Sequence, residues 1–199
     1  MKFSFNKCYL HNDQLIKGLY EIIPVRFDDN RGFFLESYNE KDFLQAGLNM
    51  KFVQENYSKS YKNVLRGLHF QKKNTQGKLI RISYGAIYDV VVDLRNGSET
   101  FGQYFGIILD TIKQNMLYIP KGFAHGFLVL SDYADLIYKC SDFYSPENET
   151  GIIWNDGSLA INWKDYVNQK DLIISNKDIK LPLFDKNQKY FDIDGNWIE

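Results

Sequence analysis

Lysine, tyrosine and histidine are side chains that move protons and neutralise developing charge. This sequence sets one of each where an apolar strand pattern would bury it. Side chains alternate between the two faces of a strand, so in Lys78–Tyr84 the lysine shares its face with Ile80, Ile82 and Tyr84, opposite Leu79, Arg81 and Ser83. In Leu136–Cys140, Tyr138 lies with Leu136 and Cys140, opposite Ile137 and Lys139; in Phe123–Leu130, His125 lies with Phe127 and Val129. Desolvation penalises an unpaired charge, so an ionisable group on an inward face must be paired or functional. Lys78, Tyr138 and His125 are therefore candidates for one site. A fourth segment, Val64-Leu65-Arg66-Gly67-Leu68-His69-Phe70-Gln71, resists this parity. A regular strand there would put Arg66 and His69 on opposite faces. Glycine inside a strand often marks a bulge, and the spacing predicts one at Gly67 that brings Arg66 and His69 together.

The elements that must position these residues are short and numerous. Leu19 to Val25 reads as a strand, Asp28-Asp29-Asn30-Arg31-Gly32 as a turn, and Phe33 to Tyr38 as a resumed extended run. Asn39 to Ala46 reads as a helix, capped by Asn39, with Phe43 and Leu44 as its apolar face and Gly47 as its stop. Short apolar runs follow at Phe52–Asn56, Val64–Gln71, Lys78–Tyr84, Ala86–Leu94, Phe101–Leu109, Met116–Ile119, Phe123–Leu130, Leu136–Tyr144 and Ile152–Trp154. Turn signals such as Asn96-Gly97-Ser98 and Pro120-Lys121-Gly122 separate them. Many short strands without a βαβ rhythm indicate a sandwich or barrel. The expectation is a mainly β, jelly-roll-like barrel with a few short helices, the tail after Asn162 adding some of them.

Composition agrees and excludes several classes. Aromatics at 16% with only 4 prolines favour sheet. The 199 residues suit one domain, 1–199, with an N-terminal extension over 1–14 and a C-terminal tail from about 183. With 24 basic against 25 acidic residues, there is no surplus of cations for a nucleic-acid partner. The longest apolar run, Phe127-Leu128-Val129-Leu130, is far short of the ~18 residues of a membrane span. The start, Met1-Lys2-Phe3-Ser4-Phe5-Asn6-Lys7, lacks the core of a signal peptide. Two cysteines, Cys8 and Cys140, are too few for a disulfide framework, which points to the cytoplasm.

Three segments then carry a match to a known family: Asp29-Asn30-Arg31-Gly32-Phe33-Phe34-Leu35-Glu36-Ser37-Tyr38; Gln54-Glu55-Asn56-Tyr57-Ser58 leading to Leu65–Gln71; and Ile119-Pro120-Lys121-Gly122-Phe123-Ala124-His125-Gly126-Phe127. Further matches are Gln76-Gly77-Lys78-Leu79, Asp89 to Arg95, Leu136-Ile137-Tyr138-Lys139, Trp154-Asn155-Asp156 and Ser175-Asn176-Lys177-Asp178. Together the eight, in order and at family-like spacing, resemble the dTDP-4-dehydrorhamnose 3,5-epimerases of the cupin superfamily. The resemblance implies a cupin-type jelly roll acting on dTDP-4-keto-6-deoxy-D-glucose. The product would be the L-rhamnose precursor of surface polysaccharides, made without cofactor or metal.

By residue match, His69 would be the base, because a neutral imidazole with an ordinary pKa near 6.5 can take a proton at neutral pH. Asp178 would orient it, Tyr138 would be the acid on the opposite face, and Lys78 would stabilise the enolate oxygen. Arg31 and Arg66 would contact diphosphate or sugar. Glu36, Gln54, Glu55, Asn56, His125, Glu149 and Lys177 would be further substrate contacts, with Tyr144 stacking on thymine. The resemblance also implies a homodimer with exchanged N-terminal strands. Departures are Lys164 in place of proline, Ile174 in place of leucine, and a longer N-terminus.

Alternatives stand beside several of these readings. Asp89 is a second candidate to orient the base, Arg31 could serve its own turn through Asp28 or Asp29, and His125 could be a substrate contact or another orienting group. His125 sits in a Pro-x-Gly-x-x-His setting like the second metal-binding motif of cupins. However, Gln71 stands where the first motif would need histidine. Inversion at C3 alone, a metal-dependent cupin and a non-catalytic sugar-nucleotide module are the competing functions.

Overall fold

The protein is described here from a computed structural model covering residues 2–198. Its chain runs β1 (Phe3–Tyr9), β2 (Leu15–Pro24), β3 (Arg26–Asp29), β4 (Gly32–Leu35), α1 (Glu40–Gln45), β5 (Gln54–Tyr61), β6 (Val64–Gln71), β7 (Lys78–Tyr84), β8 (Ala86–Asp93) and β9 (Tyr104–Asp110). It continues with β10 (Met116–Ile119), β11 (Phe123–Val129), β12 (Tyr133–Cys140), β13 (Glu149–Gly151), β14 (Ile173–Ile174) and α2 (Asn176–Ile179). One sheet has the order β1-β2-β10-β7-β12-β5. The other has β13-β6-β11-β8-β9, with β14 added parallel to β6. These two facing sheets make the expected jelly roll.

Alternation along the strands sorts the apolar side chains into three layers. Between the sheets, Ile80, Ile82, Ile87, Val91, Phe127 and Leu136 form the barrel interior. On the outer face of the second sheet, Leu65, Leu68, Phe70, Tyr88 and Val90 are covered by Trp163, Tyr190 and Phe191 from the C-terminal segment. On the outer face of the first, Phe3, Ile22, Leu79 and Met116 are covered by Phe43 of α1.

The helix is capped as its sequence suggests, Asn39 Oδ1 accepting from the backbone N–H of Lys41 and Asp42. Only Phe43 of the expected apolar pair is buried. Leu44 is 52% exposed because the short helix lies on the sheet through one side chain per turn, and Leu48, just beyond it, supplies the other anchor. Within the N-terminal extension, Phe3–Tyr9 form β1, which pairs antiparallel with β2. Ile152–Trp154, read as a strand, lies just beyond one. The ladder is formed by Glu149–Gly151 against β6, and Ile152 closes it by exchanging backbone hydrogen bonds with Leu68.

Candidate functional site

A cleft of about 690 Å³ opens at one end of the barrel, between the interior faces of β5, β7 and β12 and those of β6 and β11. It is lined by Arg66, His69, Lys78, His125 and Tyr138, together with Asp178 from α2. Lys78, His125 and Tyr138 therefore share one cavity, as their parity predicts.

The bulge at Gly67 is present. His125 stands opposite His69 and Phe127 opposite Arg66, so two residues of β6 face Gly126 alone. Gly67 has φ +119, and a Cβ there would lie 2.5 Å from Gly126 Cα and 2.8 Å from His125 O, both backbone atoms. Only glycine fits that approach. The extra residue turns both Arg66 and His69 into the cleft, where Arg66 Nε donates to Ser60 Oγ at 3.0 Å.

His69 Nε2 lies 2.7 Å from Asp178 Oδ1, although 109 residues separate them. Asp178 is held by three further features: its Oδ2 accepts from Gly67 N–H at 3.2 Å, its own N–H donates to Ser175 Oγ, and it is 3% exposed. Burial alone would raise its carboxyl, but the hydrogen bond and charge of His69 and the Gly67 and Ser175 contacts outweigh that and hold it below the usual range. A carboxylate can only accept, so it is the Nε2–H of His69 that faces Asp178.

A second pair lies beside the first. His125 is the cross-strand partner of His69, and its Nε2 is 2.9 Å from Asp89 Oδ2. Asp89, the alternative orienter for His69, is thus bonded to His125. Burial pushes the His125 imidazole toward its neutral form against the pull of Asp89, with Lys78 and His69 adding to burial. Burial likewise lowers the Lys78 ammonium, opposed by Cys140, Asp89 and Glu149. It raises the Tyr138 phenol, with Cys140 adding to the effect and Arg66 and Asn56 opposing it. Burial thus favours the uncharged form of each of these three groups.

The mouth of the cleft is a network around Glu149. Its Oε2 accepts from Lys177 Nζ and from Tyr144 Oη, the latter at 2.6 Å. Burial would raise the Glu149 carboxyl, but Lys177 and Tyr144 bring it below its usual value, while the Tyr144 phenol is pushed up to about 12. Gln54 Oε1 accepts from Tyr144 N–H at 2.9 Å, and Gln54 Nε2 donates to Asn56 Oδ1. Gln71 was legible only as a missing metal ligand. It pins the Tyr144 loop by donating to Phe143 O at 3.2 Å and accepting from Ser145 N–H at 2.9 Å. Its inward parity, shared with His69, was the available signal. Ser60, the partner of Arg66, carried none.

Three of the expected contacts lie outside this lining. Arg31 sits on the β3–β4 hairpin with an 85% exposed side chain paired to Asp29 at 2.6 Å, as its turn reading allowed. Glu36 accepts from Asn39 at 3.2 Å and pairs with Lys2, while its Oε2 is buried without a hydrogen-bond partner. Glu55 faces away from Gln54 and Asn56, as alternation requires, and pairs with Lys139 at 2.6 Å. Among the described residues no three of His, Cys, Asp or Glu converge as a metal-binding group, and no helix is long and apolar enough to cross a membrane.

Comparison with known proteins gives concordant matches. The family model described as dTDP-4-dehydrorhamnose 3,5-epimerase matches residues 13–186. A dTDP-4-dehydrorhamnose 3,5-epimerase of Salmonella typhimurium is 49% identical over 165 residues, which is 82% of this chain and 88% of the relative. A dTDP-6-deoxy-D-glucose 3,5-epimerase of Legionella pneumophila Philadelphia 1, solved with dTDP-4-keto-L-rhamnose, superposes with a TM-score of 0.83 at 43% identity. That match covers 91% of this chain and 92% of the other. A dTDP-4-dehydrorhamnose 3,5-epimerase of Elizabethkingia anophelis NUHP1 superposes with a TM-score of 0.85 at 45% identity, covering 96% of this chain and 100% of the other.

Proposed function

The chain belongs to the dTDP-4-dehydrorhamnose 3,5-epimerase family, and from that premise we infer that it is an isomerase inverting C3 and C5 of dTDP-4-keto-6-deoxy-D-glucose to give dTDP-4-keto-L-rhamnose. The C4 ketone acidifies the hydrogens on both flanking carbons. His69 Nδ1 takes one of them, the C–H electron pair moves to the C4 oxygen as an enolate, and the Lys78 ammonium stabilises that oxygen. The Tyr138 O–H returns a proton to the opposite face, inverting the centre. His69 gains a proton and Tyr138 loses one, so exchange with solvent resets the site before the second carbon is processed.

The observation that carries this reading is the 2.7 Å His69–Asp178 contact on the wall of a cleft that also holds Lys78 and Tyr138. An oriented imidazole, an acid and a cation in one cavity suit enolate chemistry better than binding alone. In this reading Arg66, Lys177 and Glu149 meet diphosphate and sugar, Tyr144 stacks on the base, and His125, Gln54 and Asn56 contact the hexose. The protein acts as a homodimer, which is supported by Phe27, Phe33 and Phe34 standing exposed on the β3–β4 hairpin beside Arg31. Arg31, Glu36 and Glu55 then serve a site shared between subunits. A cytoplasmic setting is supported by the two free thiols.

Incubation with dTDP-4-keto-6-deoxy-D-glucose in deuterated water, followed by NMR, tests the reaction. Deuterium entering at C3 and C5 is the expected result. Entry at C3 alone would make the protein a mono-epimerase, and no entry at either carbon would overturn the proposed chemistry.

A further inference from the structure

Asp89 is a buried carboxylate behind the cleft, bonded to its His125, that the reaction above does not use. It lies on β8 in line with Ile87 and Val91, which belong to the barrel interior, and it is 0% exposed. Its Oδ2 receives the His125 ring, while Oδ1 is buried with no hydrogen-bond partner. A carboxylate so placed carries a heavy desolvation penalty. An amide oxygen would accept from His125 equally well without that charge, so the charge answers to something else.

The cation that shares the cleft with His125 is Lys78, whose side chain has no hydrogen bond or ion pair among the described residues. The groups that act on it are Cys140, its cross-strand partner on β12, Asp89 on β8 and Glu149 on β13. The Cys140 thiol is kept neutral by burial, and Glu149 is already engaged by Lys177 and Tyr144. Asp89 is left as the anion committed to the interior. His125 on β11 faces Asp89, Lys78 and His69 and is itself pushed toward neutrality.

We propose that Asp89 is a positioning residue with two tasks: Oδ2 fixes the His125 ring with its proton on Nε2, and the Oδ1 side keeps the Lys78 ammonium charged inside the barrel. Lys78 then meets the developing enolate as a hydrogen-bond donor that retains its proton, and His125 offers Nδ1 as an acceptor for a sugar hydroxyl. The inference rests on the assignment of Lys78 to the enolate oxygen.

The test is Asp89→Asn, which keeps shape and an acceptor for His125 but removes the charge. The kcat for isotope exchange should fall about tenfold or more. The alkaline limb of its pH profile should move down by about one unit, since an opposite charge at close range raises an ammonium by that much or more. Binding of dTDP should be unchanged. A wild-type profile overturns the proposal. So does a joint loss of kcat, dTDP affinity and Tm with the limb unmoved, which marks a purely structural residue. Should Asp89→Asn not fold, the 13Cγ resonance of Asp89 can be titrated in the wild type and in Lys78→Met. The midpoint must rise when the ammonium is removed, and an unmoved midpoint overturns the coupling. That NMR result is independent of turnover, whereas absence of exchange in the wild type would sink the reaction and leave the coupling standing.

Discussion

Asp178 does two jobs with one carboxylate: it holds the tautomer of His69 and ties α2 to the bulge through Gly67. Its native value is lowered, so the folded state binds its proton less readily than the unfolded chain, whose aspartate titrates near ~3.9. The stabilisation is therefore fully present above about pH 4 and is lost as pH falls through the native value. Asp178→Asn should lower Tm by a constant amount at neutral pH, with the two melting curves converging as pH drops below ~3.9. Calorimetry across pH 3–8 checks this, and a gap that persists unchanged at pH 3 would refute it. The same variant should cut kcat by about 10²–10⁴, because the amide no longer selects the reactive tautomer.

At the scale of elements, the bulge on β6 is what makes a site out of a ladder. Gly67→Ala would force a methyl against Gly126 Cα and His125 O, neither of which can yield as a flexible side chain would. The cost should be on the order of 3 kcal/mol, roughly 6–12 °C in Tm. Exchange activity should be lost even where the protein remains folded, because Arg66 and His69 no longer share a wall. Retention of both Tm and activity would mean that β6 tolerates a different register. This bulge was legible because two polar residues three apart conflicted with a period of two and a glycine stood between them. Lys78, Tyr138 and His125 were legible for the complementary reason, their parity agreeing with apolar neighbours. Other features left no such trace. The Asp178–His69 contact closes over 109 residues, and no local period reports a pairing at that separation. Glu55 stands between Gln54 and Asn56 in the matched run, and the pleat turns it outward to Lys139, which places it on the side a partner subunit would meet in the proposed dimer.

At the scale of the molecule, the single chain keeps Arg31 and Glu36 outside the cleft it otherwise completes. A shared site in the proposed dimer makes a quantitative prediction. Arg31→Ala and His69→Asn, each impaired alone, should regain activity when unfolded together and refolded. Mixed dimers then hold one intact site, so recovery should approach about a quarter of wild type at equal mixing. No recovery above the sum of the two variants would place the whole site within one chain.

The route by which α2 reaches β6 also bears on how the proposed site is put together. Residues 54–140 already carry His69, Lys78, His125 and Tyr138 on contiguous strands, yet the carboxylate that readies His69 arrives only with β14 and α2. A chain still lacking the segment after Ser175 holds His69 without its carboxylate, so in the proposed reaction the C-terminal segment that covers the second sheet also completes the catalytic pair.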